Sequence, residues 1–246
     1  MVVRQVLAFL QLVPLADPTA TGAAPLYITP DGTLTRAPST PPMSYRTFTL
    51  GTTPFIIPVG VTSLTVEAQA PGGGGSGTTG STTYPAAPGT DAGTTELQRA
   101  GVALVRANGG KGGRLNPPAG SVAGRGGSGG IGGISYRGGE GAQGTGSGGD
   151  GGVATIDPKR GTGGNASSEA SSGGGGGGGT GGGLNTAAGG GGEYVTATVS
   201  VTPGDTLSVV VGAAGAGGAG GFVPPTQFSA GRPGGPGFLT LSWVGP

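Results

Sequence analysis

The chain alternates apolar and polar side chains with a two-residue period in several separate stretches, the mark of half-buried strands. Leu64, Val66, Ala68 and Ala70 alternate with Ser63, Thr65, Glu67 and Gln69. Val195, Ala197, Val199 and Val201 alternate with Tyr194, Thr196, Thr198 and Ser200. Leu207, Val209 and Val211 follow beyond the turn signal Thr202-Pro203-Gly204-Asp205, so residues 194–211 predict the strongest hairpin of the chain. Residues 94–98 and 102–107 flank Arg99-Ala100-Gly101 and predict a second hairpin. Leu26-Tyr27-Ile28 and Leu34-Thr35 flank Pro30-Asp31-Gly32 and predict a third, with Pro presetting φ and Gly supplying a positive one. Residues 47–50 and 238–243 read as single strands, and residues 55–61 as an extended approach with a Pro-x-Gly turn. No stretch carries a long 3.6-residue period. The expected fold is all-β: a β-sandwich, jelly-roll-like, framing a long glycine-rich insertion at residues 71–192.

That insertion holds most of the 63 glycines. Glycine buries no side chain and loses the most backbone entropy on ordering, so composition by itself reads as low complexity. Part of the insertion has a strict period of three, however: Gly126-Gly127-Ser128, Gly129-Gly130-Ile131, Gly132-Gly133-Ile134, a break at Ser135-Tyr136-Arg137, then Gly138-Gly139-Glu140 and Gly141-Ala142-Gln143. Three residues per turn is the period of the polyproline-II helix. Collagen needs one Gly per triplet with Pro-rich remaining positions, and Pro is almost absent here. With Gly at two positions of three, such helices can approach closely and satisfy each other's N–H and C=O groups. The third position points outward, which expects Ser128, Ile131, Ile134, Arg137, Glu140 and Gln143 along one edge. Residues 173–192, without this period, are the expected site of disorder.

Composition narrows the chemistry. The net charge is +1 with 9% charged residues, and the ten Arg and two Lys are scattered singly, so no basic stripe for nucleic acid exists. With no Cys and no His, disulfides, Cys/His metal sites and His-based triads are excluded. No apolar run has the length of a membrane span. The apolar stretch from Val2 to Ala16 lacks a clear cleavage site for a signal peptide. Matches to G-x-G-x-x-G occur, but none follows a buried strand and opens a helix. The carboxylates do not cluster as a glycosidase pair would. The expectation is a non-enzyme with no cofactor and no catalytic or metal-binding residues.

The frame itself carries a resemblance. Phe55-Ile56-Ile57-Pro58-Val59-Gly60-Val61-Thr62-Ser63-Leu64-Thr65-Val66 runs into Pro71-Gly72-Gly73-Gly74-Gly75. Val201-Thr202-Pro203-Gly204-Asp205-Thr206-Leu207-Ser208-Val209-Val210-Val211-Gly212 follows, then Gly234-Gly235-Pro236-Gly237-Phe238-Leu239-Thr240-Leu241-Ser242-Trp243. In this order the three motifs resemble the glycine-rich domain of phage tail-fibre and minor tail proteins, over residues 47–75 and 193–243. The resemblance implies a virion protein of the distal tail, outside the host cell, that is often a homotrimer and acts in adsorption. Some phage tip adhesins are similar in packing polyglycine-II helices and displaying loops between them. Residues 1–46 carry no such resemblance. They read as an attachment arm and hairpin, or as a first strand of the local core, ahead of a glycine-rich sandwich domain at 47–246.

The candidate receptor contacts are the aromatics set in glycine, Tyr84, Tyr136 and Phe222, with Arg137 beside Tyr136. An aromatic ring can stack on a sugar face; equally, each ring could pin its own loop. Three functions fit to different degrees. The first is a structural tail-tip protein that contacts other virion proteins through its arm and a host-envelope glycan. The second is a carbohydrate-binding sandwich module. The third, an ice-binding glycine-helix protein, asks for small residues at the outward positions, where Ile, Arg, Glu and Gln stand.

Overall fold

The computed structural model describes residues 26–28, 34–36, 43–78, 86–116, 120–141, 143–144, 186–223 and 225–245. The chain divides into two units, Met1–Pro42 and Met43–Pro246. In the first, β1 (Leu26–Ile28) pairs antiparallel with β2 (Leu34–Arg36), the hairpin expected around Pro30-Asp31-Gly32. The expected attachment arm at residues 1–25 lies outside the described residues.

The second unit contains β3 (Met43–Phe48), β4 (Gly51–Ile56), β5 (Ser63–Gln69), β6 (Thr95–Arg99), β7 (Val102–Ala107), β8 (Arg114–Asn116), β9 (Gly120–Val122), β10 (Ile134–Tyr136), β11 (Gln143–Gly144), β12 (Thr186–Ala187), β13 (Tyr194–Ser200), β14 (Thr206–Val211), β15 (Phe222–Val223), β16 (Thr226–Gln227) and β17 (Phe238–Val244). It is a β-sandwich, with no helix among the described residues. One antiparallel sheet runs β10-β13-β5-β17-β3 and the other β4-β14-β6-β7. The first strand starts at Met43, ahead of the expected 47. As an edge strand it pairs only with β17, and only Phe48 of it is buried, so its alternation is faint in sequence.

The core fills the space between the sheets. Leu64, Val66, Ala68, Val195, Ala197, Leu239 and Leu241 face Phe55, Leu207, Val209, Val211, Leu97, Val105 and Ala107. Phe55 takes Phe48 edge-on at 6.0 Å and Trp243 at 5.5 Å between ring centroids. This is the apolar set that the alternation predicts.

One expected strand pairing is overturned. β13 and β14 do not form a hairpin. β13 pairs with β5 and β10, whereas β14 pairs with β4 and β6 in the opposite sheet. The turn itself is as expected: the Asp205 N–H donates to Thr202 O at 3.1 Å, and Gly204 has φ +86°. Around it the chain arches between layers. Val201 N–H donates to Thr62 O, Gly204 N–H to Ile57 O and Ile57 N–H to Asp205 O, which ties this arch to the one joining β4 and β5. Two strands whose apolar faces meet across a core carry the same alternation as two strands side by side. The hairpin at residues 94–107 is real: β6 pairs with β7 around Ala100 (φ +49°) and Gly101 (φ +79°), a two-residue turn of the I′ type.

Past one end of the sandwich the strands continue as glycine helices, and their pairing continues with them. β5 pairs with β13 up to Gln69↔Tyr194; then Ala70, Gly73 and Ser76 donate in turn to the carbonyls of Glu193, Gly190 and Ala187. β5 also pairs with β17 up to Gln69↔Phe238, and Gly72, Gly75 and Thr78 then donate to Gly235, Arg232 and Ser229. The β6/β14 pair continues as Gly93, Thr90 and Ala87 donating to Ala213, Ala216 and Ala219. Each ladder advances three residues at a time, the period of the polyproline-II helix. That helix points successive N–H groups about 120° apart, so residues 72–78 give successive bonds to three different neighbours, and every third bond returns to the same one. Those neighbours are residues 187–193, 229–235 and 87–90.

The two layers also bond to each other here. Gly74 N–H donates to Thr90 O, Gly110 N–H to Pro71 O and Gly215 N–H to Gly72 O. Sheets bearing side chains stack about 10 Å apart, too far for such bonds. Without side chains the layers close until their backbones meet. The contacts admit no methyl group: a Cβ at Gly74 would lie 1.9 Å from Ala216 O, at Gly110 1.9 Å from Gly190 O, and at Gly189 2.1 Å from Gly73 O.

The period-of-three expectation holds in part. Ser128, Ile131, Ile134, Arg137 and Glu140 are all exposed, while Gly126, Gly127, Gly138 and Gly139 are buried. They do not share one straight edge, because Gly129 (φ +84°) and Gly132 (φ +90°) bend the chain and Ile134 opens β10. Within 173–192, the expected disorder is contradicted for residues 186–192. These are wholly buried and bonded to residues 73–76, 111, 124–127 and 139. Their lack of outward side chains suits a central position, where no direction faces solvent. Residues 173–185 lie outside the described residues.

Candidate functional site

Strand direction positions the loops. β5, β7 and β14 run toward the glycine bundle; β6, β13 and β17 run away from it. Every described glycine segment therefore has one end at the sandwich and extends from there toward the distal end of the bundle. At about 3.1 Å per residue, residues 70–78 carry the chain roughly 25 Å outward.

Three short ladders stand at or near this end. β8 pairs with β9, Arg114↔Val122 through Asn116↔Gly120. β11 pairs with β12, Gln143↔Ala187 and Gly144↔Thr186. β15 pairs with β16, Phe222↔Gln227 and Val223↔Thr226. Phe222 is half exposed, Val122 nearly so, and the Arg114 side chain is 65% exposed. The distal end thus offers an aromatic ring, an apolar side chain and a guanidinium on loops held by a bundle without side-chain freedom.

The candidate contacts read from sequence do not converge. Phe222 is at the distal end. Tyr136 is at the opposite end, on β10 beside the sandwich, half-buried and tilted at 41° against its cross-strand partner Tyr194, 6.1 Å between centroids. Arg137 next to it is exposed and ion-paired with Glu140. Tyr84 lies outside the described residues; the residues flanking its segment, Thr78 and Ala86, both sit at distal ends of glycine helices. Arg114 and Val122 were not singled out from the sequence, although Asn116-Pro117-Pro118-Ala119 between them is a turn signal.

Two carboxylates brace the flank of the bundle and its root. Asp91 accepts from Gly112 N–H at 2.9 Å and Lys111 Nζ at 3.1 Å, with Arg114 at 3.8 Å. Glu96 accepts from Arg106 Nε at 2.7 Å, Gln98 Nε2 at 2.6 Å and Thr94 Oγ1 at 3.0 Å. Burial pushes both pKa values up, but the combined donors and neighbouring cations outweigh it and hold both below the usual carboxylate range. These are structural bonds that tie neighbouring segments together. Among the described residues no group of three or more Asp or Glu side chains is placed to hold a metal ion.

The arrangement can present side chains at the end of a backbone-bonded stalk. Comparisons with protein-family models, with curated proteins and with solved structures find no match to this chain.

Proposed function

We propose that the chain is a structural virion protein of a phage tail tip, a minor tail protein that contributes to host-surface recognition and adsorption, and that it is not an enzyme. The observation that carries this reading is that the glycine helices all extend from one end of the sandwich. Each has one end at the sandwich, and β8–β9 and β15–β16 stand at or near the other end. Binding residues are commonly carried on loops set on a rigid scaffold, and here backbone bonding supplies the rigidity. The ordered motifs of the frame point the same way. On this reading the protein acts on the distal tail outside the host cell as a homotrimer, held to other tail proteins through its N-terminal arm. The distal loops meet a glycan of the host envelope. The test is competition: purified protein added to host cells should reduce adsorption of the parent particle, and replacing residues 222–227 with a Gly-Ser loop should abolish the effect. No competition by the intact protein, together with its absence from purified particles, would overturn the reading.

A second reading, a carbohydrate-binding sandwich module, is favoured by a different face. The outer side of the five-stranded sheet carries Tyr136 and Tyr194 at one edge and Tyr45, 75% exposed, at the other, with Thr196, Thr65, Thr240 and Ser242 between them. A glycan array separates the two readings. Loss of binding on Tyr136→Ala would favour the module, whereas loss on Phe222→Ala would favour the distal loops.

A further inference from the structure

At the junction of sandwich and bundle one carboxylate is wholly enclosed. Glu193 is 0% exposed. Its Oε2 accepts from the Asn108 N–H at 2.9 Å, and its Oε1 accepts from the Gly130 N–H at 2.8 Å and from the Ser135 hydroxyl. No described ion pair reaches it; Arg106, close in sequence to Asn108, is committed to Glu96. The Glu193 backbone is engaged as well, its N–H donating to Asn108 O and its C=O accepting from Ala70 N–H and Gln69 Nε2. This one residue therefore touches three separate passages of chain: residues 69–70, Asn108 and the segment at 130–135.

The passage between Gly129 and Ser135 is a strap. It leaves the glycine helix at residues 124–128, bends at the two positive-φ glycines and exchanges both backbone bonds between Ile131 and Arg106 on the edge of β7. It then joins the other sheet as β10. It thus spans the open side of the sandwich from one sheet's edge to the other's. It lies directly on the backbone beneath: a Cβ at Gly132 would stand 2.0 Å from Leu104 O, and one at Gly133 2.2 Å from Thr196 O. It also covers the N–H and C=O of Arg106, which would otherwise be open to strand addition.

We propose that Glu193 is the clamp that fixes the register of the bundle on the sandwich, and that the strap and the segments at residues 108–113, 124–128 and 186–192 open as one unit when it is released. The chemistry requires a carboxylate. Both oxygens face only donors, and an ionised carboxylate accepts on both without a proton of its own. A glutamine in the same rotamer would turn an NH2 group toward an N–H. The alternating strands below and the three-residue ladders above have different repeats, so their relative phase needs a fixed point; the enclosed carboxylate is where both meet the strap. Such a sub-global opening unit, distinct from the core, is a known pattern in folded proteins.

The test is amide hydrogen exchange on the full chain by mass spectrometry with peptide-level resolution. Glu193→Gln is expected to accelerate exchange at least tenfold at residues 108–113, 124–131 and 187–192, and to leave peptides spanning Val66, Val209 and Leu241 unchanged. Ser135→Ala, which removes one of the three donors, is expected to accelerate the same unit, residues 108–113, 124–134 and 187–192, by a smaller factor, and again to leave the core peptides unchanged. Uniform acceleration in the bundle and the core strands would overturn the proposal, since it would make Glu193 one contributor to global stability. No acceleration in either variant would overturn it too. Should Glu193→Gln fail to fold, Ser135→Ala decides alone: acceleration shared by the strap and these segments and absent from the core supports the clamp, and any other pattern refutes it.

Discussion

Replacing Gly74 by alanine tests whether the glycine segments are packed against one another or merely connect strands. Gly74 sits in the central helix, donating to Thr90 O at 3.0 Å and accepting from Gly113 N–H at 2.9 Å. An added Cβ would stand 1.9 Å from Ala216 O and 2.4 Å from its carbonyl carbon. Carbon and carbonyl oxygen approach no closer than about 3.3 Å, so one backbone must move by about 1.4 Å. That stretches the bonds joining these helices, Gly215 to Gly72 and Gly218 to Gly75 at 2.9 Å each, beyond hydrogen-bonding range. Overpacking costs about 1–3 kcal/mol and each lost bond about 0.5–1.5 kcal/mol, against a gain of about 0.4–1 kcal/mol from a stiffer unfolded chain. The net loss is about 3 kcal/mol, which for a domain of this size lowers Tm by about 6–12 °C. Thermal unfolding followed by circular dichroism, with the fluorescence of the single Trp243 as a core probe, measures it. Ala219→Ser, at an outward-facing position of the same bundle, is the control and should change stability by less than about 0.5 kcal/mol. The sign is decisive. In an unpacked linker Gly→Ala is neutral or slightly stabilising, so an unchanged or raised Tm for Gly74→Ala refutes the packed bundle.

Ala100 takes a positive φ in the β6–β7 turn, a strained choice for a residue with a Cβ; Ala100→Asn, giving the preferred Asn-Gly pair, should stabilise by about 0.5–1 kcal/mol in chemical denaturation. The depressed pKa of Glu96 means that its stabilising contribution is fully present above the unfolded value of about 4.3 and is lost as pH falls through the lower folded value. Glu96→Gln should therefore reduce stability at pH 7 and flatten its fall below about pH 4.5, and parallel acid-side profiles in the two proteins would refute the sign. Phe222→Ala should leave Tm unchanged, because the ring is half exposed, while weakening binding to host cells in a pull-down. Tyr136→Ala should lower Tm by a few degrees through loss of its Tyr194 partner and of an edge-strand pair. Equal effects of the two substitutions on cell binding would count against a distal site.

Most of the sandwich was legible because burial leaves a local trace. Where a strand has one face in the core, every second residue must be apolar, and Leu64 to Ala68, Val195 to Ala197 and Leu207 to Val211 show it. Turn chemistry was equally local at Gly204 and Gly101. What alternation does not encode is which layer a strand joins. β13 and β14 read as a hairpin and became an arch, because both pairings bury the same residues. The site was less legible still. Phe222 and Tyr136 look alike in sequence, each an aromatic among glycines, but one crowns a glycine helix and the other ends a sheet strand. Glycine carries no side chain to report its neighbours, so the lengths and directions that separate the two rings had no signature.

The sequence by itself determined that the chain is all-β, which residues fill its core and that part of the glycine insertion repeats every three residues. It could do so because burial, turn geometry and helical period each act on neighbouring residues. Only the tertiary structure decided that the strand ladders run on into the glycine helices, that residues 186–192 lie at the centre of the bundle, and that Glu193 joins passages far apart in the chain. A glycine helix takes its bonds from other segments, never from itself. Its order is therefore a property of the assembly, set by the sandwich strands that hold each segment in register.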